Sequence, residues 1–535
     1  MRCRRCLSNE AAFFITGKDC GQVGLCYKCA EESGILAVLT KVQSVLHGYS
    51  GAPTSSSVPD TAGIPIAIAE NCQNCGTTLR EFERDFLFGC ADCSHLFVSL
   101  IYNYLTLMDA HPASAASFYK GSPPPAYGLR QKLYSLQQNL KKTIEEENYR
   151  EASRKHHSIQ KLEKDLLLKR KKDLFSVSGK RNKLPALNDD AVNKLLTDSA
   201  HFIPHDLTFH PWIETAVEVR RNFAEFYFPH RMDEPSRAFL KEYLLNTIPA
   251  KYLTGKGIIK AAALNPLQKK VLEQRTVRRK LGKRATLIAA ERENLSIIIT
   301  DQDHLTLLHR IHGSLHDEAL MPVTDILYAL QDKAEMAFNS RFGYLTASPR
   351  YMGSGVNIYA ILHLPFSLYA GRIYLYQSEA ERRGVRFDTF SGTTLERHGF
   401  FKVSHKTHFG KTQEELGQEV FSLAAWLTDE ELKTRKSIIK QKKNGIKKLT
   451  QRVIHHSIYN HRSSYQDVLR LVTFIDIALQ MKILNWQGYS TYKLLSQMTS
   501  PYIQYHDGRR YTINECEKRR ADVFSEIIQT SVRFQ

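Results

Sequence analysis

The sequence predicts a multidomain chain with small cysteine-rich modules, a helical hairpin, and a large mixed α and β domain that ends in a helical region. Three observations carry this prediction. Nine of the ten cysteines lie before residue 94. An apolar stripe with helical spacing follows between residues 129 and 166, and strand-like apolar runs alternate with helical patterns beyond residue 196. The 535 residues are enough for three or four units that each bury a core.

Cysteine spacing is the most specific signal in the N-terminal region. Two cysteines separated by two residues can place both thiolates on one metal, and two such pairs complete a tetrahedral shell around Zn²⁺. A closed shell leaves no position for substrate, so we predict two structural zinc sites. The predicted ligands are Cys3, Cys6, Cys26 and Cys29 for the first site and Cys72, Cys75, Cys90 and Cys93 for the second.

Disulfides and thioredoxin-like redox pairs are the other interpretations of these cysteines. Disulfides fit poorly because the first residues lack the apolar run that predicts an export signal, and no βαβ pattern surrounds any pair. Cys20 could replace one ligand of the first site. Otherwise Cys20 and Cys516 are expected to be ordinary thiols.

Composition divides the chain before residue 196. We expect zinc modules over residues 1–32 and 66–110, separated and followed by linkers over residues 33–65 and 111–128. These linkers are placed at stretches rich in Gly, Ser and Pro. A polar, basic linker is predicted over residues 171–195.

Residues 129–170 carry two amphipathic stripes. The first consists of Leu129, Leu133, Leu136, Leu140 and Ile144, and the second of Ala152, Ile159, Leu162 and Leu166. Steps of three, four and seven residues place each stripe on one helix face, and the break between them predicts an antiparallel helical hairpin. A solvated charged helix that links two domains is the alternative.

Beyond residue 196 the pattern is that of one large mixed domain. Leu295–Ile299 and Val356–Leu362 are strand-like, whereas Val323–Phe338 and Gly417–Leu427 have helical spacing. The alternation is too irregular for a Rossmann or P-loop unit. No P-loop motif and no convincing G-x-G-x-x-G motif is present.

Charge restricts the classes of partner. The net charge of +19 suggests an acidic partner, either nucleic acid or phosphorylated protein. Charge alone favours the alternative of lysines that simply face water, because the basic residues are spread through several segments. We rank nucleic acid last because the zinc modules lack interleaved aromatic and basic residues. The apolar runs are shorter than the roughly 20 residues of a membrane span, so we expect no membrane partner and a cytoplasmic location.

Two bacterial families resemble this chain, one after the other. Residues 1–170 resemble the protein-arginine kinase activator: CQNCGTTLREFERDFLFGCADC is similar to its second zinc module. LRQKLYSLQQNLKKTIEEENYREASRKHHSIQKLE is similar to its UVR motif, a helical interaction hairpin.

Five segments between residues 196 and 535 carry a second resemblance: RNFAEFYFPHRM, LSIIITDQDHL, FGYLTASPRYMGSG, VSHKTHFGKT and DVLRLVTFIDIAL. Through these segments, residues 196–535 resemble the protein-arginine kinase, of the ATP:guanido phosphotransferase (phosphagen kinase) family. The resemblance implies an α+β fold, in which helices flank an antiparallel sheet. It implies a small helical N-lobe over residues 196–290, a catalytic-type domain over 291–427, and a helical region over 428–535 for dimerisation and phosphoarginine recognition.

The resemblance also implies catalytic positions, and many are altered. The family's Asn-Glu-Glu-Asp-His-x-Arg motif corresponds to residues 300–306, which include Asp301, Gln302, Asp303, His304 and Thr306. The substrate-binding carboxylate is therefore Gln302, whose amide cannot act as a base. Four phosphate-binding arginines are replaced, at Ala216, Glu218, Thr306 and Asn357.

Three further correspondences complete the implied site. The family's active-site cysteine corresponds to Ser348, and the remaining catalytic loop has Glu396 as its only Glu and Asp388 as its only Asp. In the phosphoarginine-recognition stretch two arginines remain, Arg519 and Arg520. A solvated basic helix face is the alternative role for these two.

These replacements predict a pseudokinase. One preorganised electrostatic contact contributes about 3 kcal/mol to catalysis, and several are lost from one transition state. The losses also argue against ATP and Mg²⁺ as cofactors. We therefore predict a zinc-binding adaptor in bacterial stress response or protein quality control. Its partner would be a sibling arginine kinase, a Clp-type unfoldase or a repressor, and a homodimer is a further expectation. The alternative is an active protein-arginine kinase fused to its activator, which uses Asp301, Asp303 and Glu396.

Overall fold

The computed structural model divides the chain into two compact units, residues 1–68 and 69–535, which we treat separately. The described residues are 13–17, 21–25, 71–98, 100–101, 135–136, 139–140, 142–144, 146, 148, 150–162, 184–198, 210–254, 256–274, 279–289, 294–314, 316–331, 333–390, 398–406, 410–441, 443–486 and 491–534. The linkers predicted over residues 33–65 and 111–128 lie outside these residues.

The N-terminal unit contains an antiparallel hairpin. Strand β1 (Phe13–Gly17) pairs with β2 (Gly21–Leu25), and Phe13 lies opposite Leu25. The cysteines predicted to form the first zinc site lie outside the described residues, so this prediction stays open. They are Cys3, Cys6, Cys26 and Cys29, together with the alternative ligand Cys20.

The region predicted as a helical hairpin is largely helical at its described positions between residues 135 and 162. Ala152 and Ile159 of the second stripe are buried. Ile144 of the first stripe is 48% exposed, whereas its neighbour Thr143 is buried. Because adjacent helical residues point in different directions, Thr143 takes the inward position there. The Lys155 Nζ donates to the Thr143 Oγ1 at 2.7 Å and links the two segments.

The larger unit is built on an antiparallel sheet of eight strands. The strands of this unit are β3 (Trp212–Arg221), β4 (Gly257–Lys260), β5 (Thr286–Ala289), β6 (Leu295–Ile299), β7 (Leu305–His312), β8 (Phe338–Asn339), β9 (Gly343–Tyr344), β10 (Val356–His363), β11 (Val385–Thr389), β12 (Phe400–His405), β13 (Leu484–Trp486) and β14 (Val532–Phe534). The order in the eight-stranded sheet is β11-β12-β10-β3-β7-β6-β5-β4. The strands predicted at Leu295–Ile299 and Val356–Leu362 are confirmed as β6 and β10.

Helices flank the sheet and continue to the C-terminus. They are Leu79–Asp85, Cys93–Leu96, Asp189–Asp198, Glu234–Thr247, Pro266–Leu272, His316–Gln331, Pro365–Tyr369, Ile373–Arg382, Gln413–Gln441, Lys443–Tyr459, Tyr465–Gln480, Thr491–Gln497, Ser500–His506 and Ile513–Ser531. The helix predicted over Gly417–Leu427 lies within Gln413–Gln441. The one predicted over Val323–Phe338 ends at Gln331, and Phe338 begins β8. In the part of the chain that the structure describes, no helix is long and apolar enough to cross a membrane.

The predicted helical N-lobe over residues 196–290 needs correction. Three strands of the eight-stranded sheet, β3, β4 and β5, come from this segment, and β3 lies between β10 and β7. The apolar residues of β3, such as Val217 and Val219, are buried in the same core as those of β7 and β10. The boundary predicted at residue 290 therefore cuts through one sheet.

Different helices cover the two faces of the sheet. Val217 and Val219 of β3 join a core that includes the helices Glu234–Thr247, His316–Gln331 and the first half of Gln413–Gln441. Ala216, on the opposite face, joins a core with the C-terminal helices. Because side chains alternate along a strand, Glu218 and Arg220 lie on the same face as Ala216.

Candidate functional site

The four positions where the resemblance expects phosphate-binding arginines converge on one face of three strands. Glu218 of β3 lies opposite Asn357 of β10, and Arg220 lies opposite Thr306 of β7. Directly opposite residues point to the same side of a sheet, so Ala216, Glu218, Thr306 and Asn357 share this face with Arg220. We call these five positions the polar face.

Glu218 is the centre of the charge network at the polar face. Its Oε1 accepts from the Arg220 Nη2 at 2.9 Å and from the Arg279 Nη1 at 2.8 Å, and its Oε2 accepts from the Asn357 Nδ2 at 3.3 Å. Burial alone would raise the pKa of this carboxyl, but the charges of Arg220 and Arg279 outweigh it and lower the pKa to about 2. Glu218 is therefore ionised at neutral pH, and its charge is compensated within the protein.

Arg279 joins this network to the motif loop between β6 and β7. Its second guanidinium nitrogen, Nη2, donates to the Asp301 carboxylate, and the other oxygen of Asp301 accepts from the Gly282 N–H at 2.6 Å. The Arg279 side chain is only 15% exposed. One guanidinium thus lies between the carboxylates of Glu218 and Asp301, an arrangement we call the Arg279 bridge.

Gln302 and Asp303 contact the other arginine. The Arg220 Nη1 donates to the Gln302 Oε1 at 3.0 Å and lies 3.7 Å from the Asp303 carboxylate. Asp303 is fully buried, and burial raises its pKa. Its Oδ1 accepts from the Asn222 Nδ2 at 2.7 Å and from the Ala347 N–H at 2.6 Å. These bonds make Asp303 a fixed part of the loop packing.

His304 is a neutral, structural histidine. Its Nδ1 accepts from the Phe223 N–H at 3.0 Å, so the proton is on Nε2, which donates to the Tyr227 carbonyl at 2.8 Å. Burial lowers its pKa to about 3. An imidazole with both nitrogens occupied by the backbone is not available for proton transfer.

The remaining predicted positions are less closely assembled. Ala216 and Thr306 are buried, and the Thr306 hydroxyl has no partner within the described part of the chain. Ser348 is half-buried and begins the short 3-10 helix Pro349–Tyr351. Asp388 is exposed on β11, which two strands separate from β3. Glu396 lies outside the described residues.

The second cysteine set is assembled at one point. The Sγ atoms of Cys72, Cys75, Cys90 and Cys93 all lie within 4.8 Å of one another. The Cys72–Cys90 and Cys75–Cys93 sulfur distances are 3.7 and 3.4 Å. Tetrahedral ligands at about 2.3 Å from zinc would have their sulfurs about 3.8 Å apart, so these thiolates could hold a metal ion.

This cysteine module is packed against the loops that hold Asp303 and His304. The Phe88 N–H donates to the Ala347 carbonyl and the Phe228 N–H to the Gly89 carbonyl, both at 2.8 Å. The Ala347 N–H also donates to the Asp303 carboxylate. Phe228 directly follows Tyr227, whose carbonyl accepts from His304. Aromatic rings of the cysteine module and of these loops lie in one apolar core. The module is therefore part of the scaffold of the motif loop.

Comparison with known proteins matches part of the larger unit to a protein family. Residues 234–434 match the family model described as ATP:guanido phosphotransferase, C-terminal catalytic domain. The C-terminal part of the chain contains an ATP:guanido phosphotransferase domain.

Relatives named protein-arginine kinase are similar to more than half of the chain. The protein of Halothermothrix orenii is 21% identical over 317 residues, which cover 58% of this chain and 91% of the relative. That of Symbiobacterium thermophilum is 24% identical over 326 residues, 58% of this chain and 90% of the relative. That of Bacillus subtilis strain 168 is 21% identical over 322 residues, 59% of this chain and 89% of the relative.

Two solved structures have limited similarity. Lombricine kinase is 14% identical with a TM-score of 0.33, and covers 47% of this chain and 72% of its own. The substrate-free duplicated taurocyamine kinase from Schistosoma mansoni is 14% identical with a TM-score of 0.37, and covers 64% of this chain and 53% of its own.

The two arginines of the implied phosphoarginine stretch have internal partners. Arg520 is buried and donates to the Met498 carbonyl, the Ser463 carbonyl and the Ser500 hydroxyl, each at 2.7 Å. Arg519 pairs with Asp507 at 2.9 Å. Arg520 thus cross-links three segments, which differs both from a ligand-binding role and from a solvated basic face.

Sequence reasoning missed Arg279 and the environment of Arg220. Arg220 lies 3.7 Å from the centre of the Tyr351 ring, and Arg221 lies 3.8 Å from that of Tyr344. Gly355 has a φ of +63°, and a Cβ there would lie 2.5 Å from the Arg221 guanidinium. A search for arginines near the phosphotransferase motifs would have found Arg220 and Arg221. No pattern marks Arg279 within its basic segment.

Proposed function

We propose that the chain is a non-catalytic adaptor of the protein-arginine kinase type, in which the phosphotransferase domain is a pseudokinase scaffold. The observation that carries this proposal is the Arg279 bridge. Phosphoryl transfer needs cations aimed at the phosphate oxygens and a carboxylate free to receive the guanidinium of a substrate. Here the Arg279 guanidinium donates to the carboxylates of Glu218 and Asp301, where it takes the place of a substrate guanidinium. The Arg220 guanidinium donates to Glu218 and Gln302.

The charge at the polar face supports the same proposal. Glu218 is ionised and lies where the resemblance implies an arginine, so it would repel a nucleotide phosphate. Gln302 provides an amide in place of the substrate-binding carboxylate. ATP and Mg²⁺ therefore have no part in the proposed function.

Structural zinc is part of the proposal. We assign it to Cys72, Cys75, Cys90 and Cys93, whose thiolates match its ligand geometry, and by resemblance to the first cysteine set. The UVR-like helical segment and the zinc modules would bind a protein partner in the cytoplasm, in stress response or protein quality control. By resemblance this partner is a sibling arginine kinase, a Clp-type unfoldase or a repressor, with homodimerisation as a further route of assembly.

An active protein-arginine kinase is the second candidate. Its support is that relatives similar to more than half of the chain carry that name, and that Asp301 and Asp303 are neighbours in the motif loop, where the Asp301 N–H donates to the Asp303 carbonyl at 3.2 Å. In this case Arg279 would have to leave the two carboxylates before a substrate arginine could bind.

Phosphotransfer to protein distinguishes the two candidates. The full-length, zinc-loaded chain would be incubated with Mg²⁺, labelled ATP and casein, and acid-labile phosphoarginine would be counted. The protein-arginine kinase of Bacillus subtilis serves as the positive control. We expect no signal above that of an Asp301→Ala, Gln302→Ala double variant. A signal that is lost in the double variant and kept in Lys280→Ala, an exposed neighbour of Arg279, would refute the pseudokinase proposal.

A further inference from the structure

A segment without acidic residues lies in the C-terminal helical region. Residues 432–466 contain ten Lys and Arg, three His, and no Asp or Glu. A stretch of 35 residues at this charge density is not needed for solubility in a chain that is already strongly basic. The segment contains the helix Lys443–Tyr459, whose two faces differ sharply.

One face of this helix packs against neighbouring helices, and the other face is exposed. Ile446, Thr450, Ile454 and Ser457 are buried, and the helix contacts Tyr465–Gln480 and Ile513–Ser531 on that side. The opposite face is exposed along its length, and we call it the basic stripe. It consists of Lys447, Lys448, Gln451, Arg452, His455, His456 and Tyr459. At about 1.5 Å per residue, it extends for about 18 Å.

The cations of the basic stripe have no acidic partners in the part of the chain that the structure describes. Lys447, Lys448 and Arg452 take part in none of its ion pairs, in contrast to Lys433, which lies 2.9 Å from Glu430. An exposed row of unpaired like charges is mutually repulsive, and a bound polyanion would relieve this repulsion.

At its C-terminal end the basic stripe opens into a groove of about 1030 Å³. The groove is lined by the last two turns of the helix, by Arg462 of the following loop and by Lys518 of the helix Ile513–Ser531. None of its described lining side chains is acidic. Tyr459 is 66% exposed, and its ring lies 4.6 Å from that of His455. Flat rings beside cations are the combination that binds unpaired bases.

We propose that the basic stripe and its groove bind single-stranded nucleic acid, a role separate from that of the phosphotransferase domain. Lys447, Lys448 and Arg452 contact successive phosphates, and Tyr459 stacks on a base in the groove. The rings favour this ligand over an acidic protein segment, which would use the cations but leave Tyr459 without a flat partner. Interleaved aromatic and basic residues, absent from the zinc modules, are thus present on a different element.

Fluorescence anisotropy with labelled oligothymidylate of roughly 20 nucleotides, longer than a typical site, tests this proposal on the full-length protein. Three phosphate contacts predict a slope of about −2 in log K against log [salt], or about 20-fold weaker binding between 50 and 200 mM salt. The triple variant Lys447→Ala, Lys448→Ala, Arg452→Ala should lose this slope. Tyr459→Ala should weaken binding about 10-fold with the slope unchanged, whereas Tyr459→Phe should keep the affinity.

The matched control removes the same charge from paired lysines. Lys251, Lys411 and Lys433 are each in an ion pair, so the variant Lys251→Ala, Lys411→Ala, Lys433→Ala should bind as the wild type does. Equal losses in both triple variants would mean that only net charge matters and would overturn the proposal. So would equal competition by polyglutamate of the same charge, which would point to an acidic protein segment, or absence of binding at low salt.

Discussion

Removal of the Arg279 guanidinium is the most direct test of the Arg279 bridge. In Arg279→Ala, Glu218 and Asp301 would face each other with side chains only 10% and 5% exposed. Breaking a buried ion pair costs about 3–5 kcal/mol. Glu218 keeps Arg220 at 2.9 Å and Asp301 keeps the Gly282 N–H at 2.6 Å, so we expect a loss at the lower end, about 3 kcal/mol.

Thermal unfolding followed by circular dichroism measures this loss. At about 2 °C per kcal/mol for a large domain, the Tm of Arg279→Ala should fall by roughly 6 °C. Free guanidinium should then restore stability by occupying the emptied position. With a Kd of about 1 mM, guanidinium at 10 mM would contribute about 1.4 kcal/mol, whereas its denaturing effect at this concentration is below about 0.1 kcal/mol.

Two controls identify the cause. Lys280→Ala removes the same charge from the next, exposed position and should change the free energy of unfolding by less than about 0.5 kcal/mol. Sodium chloride at the same ionic strength should not restore Arg279→Ala. Equal stability of the two variants, or restoration by sodium as strong as by guanidinium, would refute the Arg279 bridge as a specific guanidinium site.

Three further predictions concern other parts of the molecule. The pKa of Glu218 is lowered from 4.5 to about 2, so this carboxylate contributes about 3 kcal/mol to the free energy of unfolding above pH 4.5. This contribution is lost as the pH falls toward 2. Acid unfolding curves of Glu218→Gln should therefore lack this pH dependence. Cys90→Ser should contain one zinc ion fewer in elemental analysis, and amide hydrogen exchange at Phe88 should be faster. The control Cys516→Ser should keep both the zinc content and the exchange rate. Unchanged zinc content in Cys90→Ser would contradict the site. Arg520→Ala should destabilise the protein by about 2–3 kcal/mol in thermal unfolding because it leaves buried carbonyls unpaired. The half-buried Arg519 makes one ion pair, so Arg519→Ala should cost less than about 1 kcal/mol, and a loss in Arg520→Ala no larger than this would contradict the role of Arg520.

Local pattern was sufficient for several elements. The strands β6 and β10 follow from runs of apolar residues that bury both faces, and the cysteine cluster follows from two C-x-x-C pairs. The boundary at residue 290 was wrong because β3 lies far from its partners in sequence. Residue 220 of β3 lies opposite residue 306 of β7, and strand order at such separations depends on which apolar faces pack together.

The sequence by itself determined which residues the phosphotransferase-like positions contain, because correspondence of motifs needs no coordinates. It thus identified Ala216, Glu218, Thr306 and Asn357 as departures from the cationic set, and Gln302 as the replacement of a carboxylate. Only the tertiary structure decided how the charge of Glu218 is compensated. Arg279 is 61 residues from Glu218 and 22 from Asp301, and no local rule links these separations. Electrostatic compensation depends on distance and burial in the folded chain, so folding turns Glu218 from an isolated negative charge into one end of the Arg279 bridge.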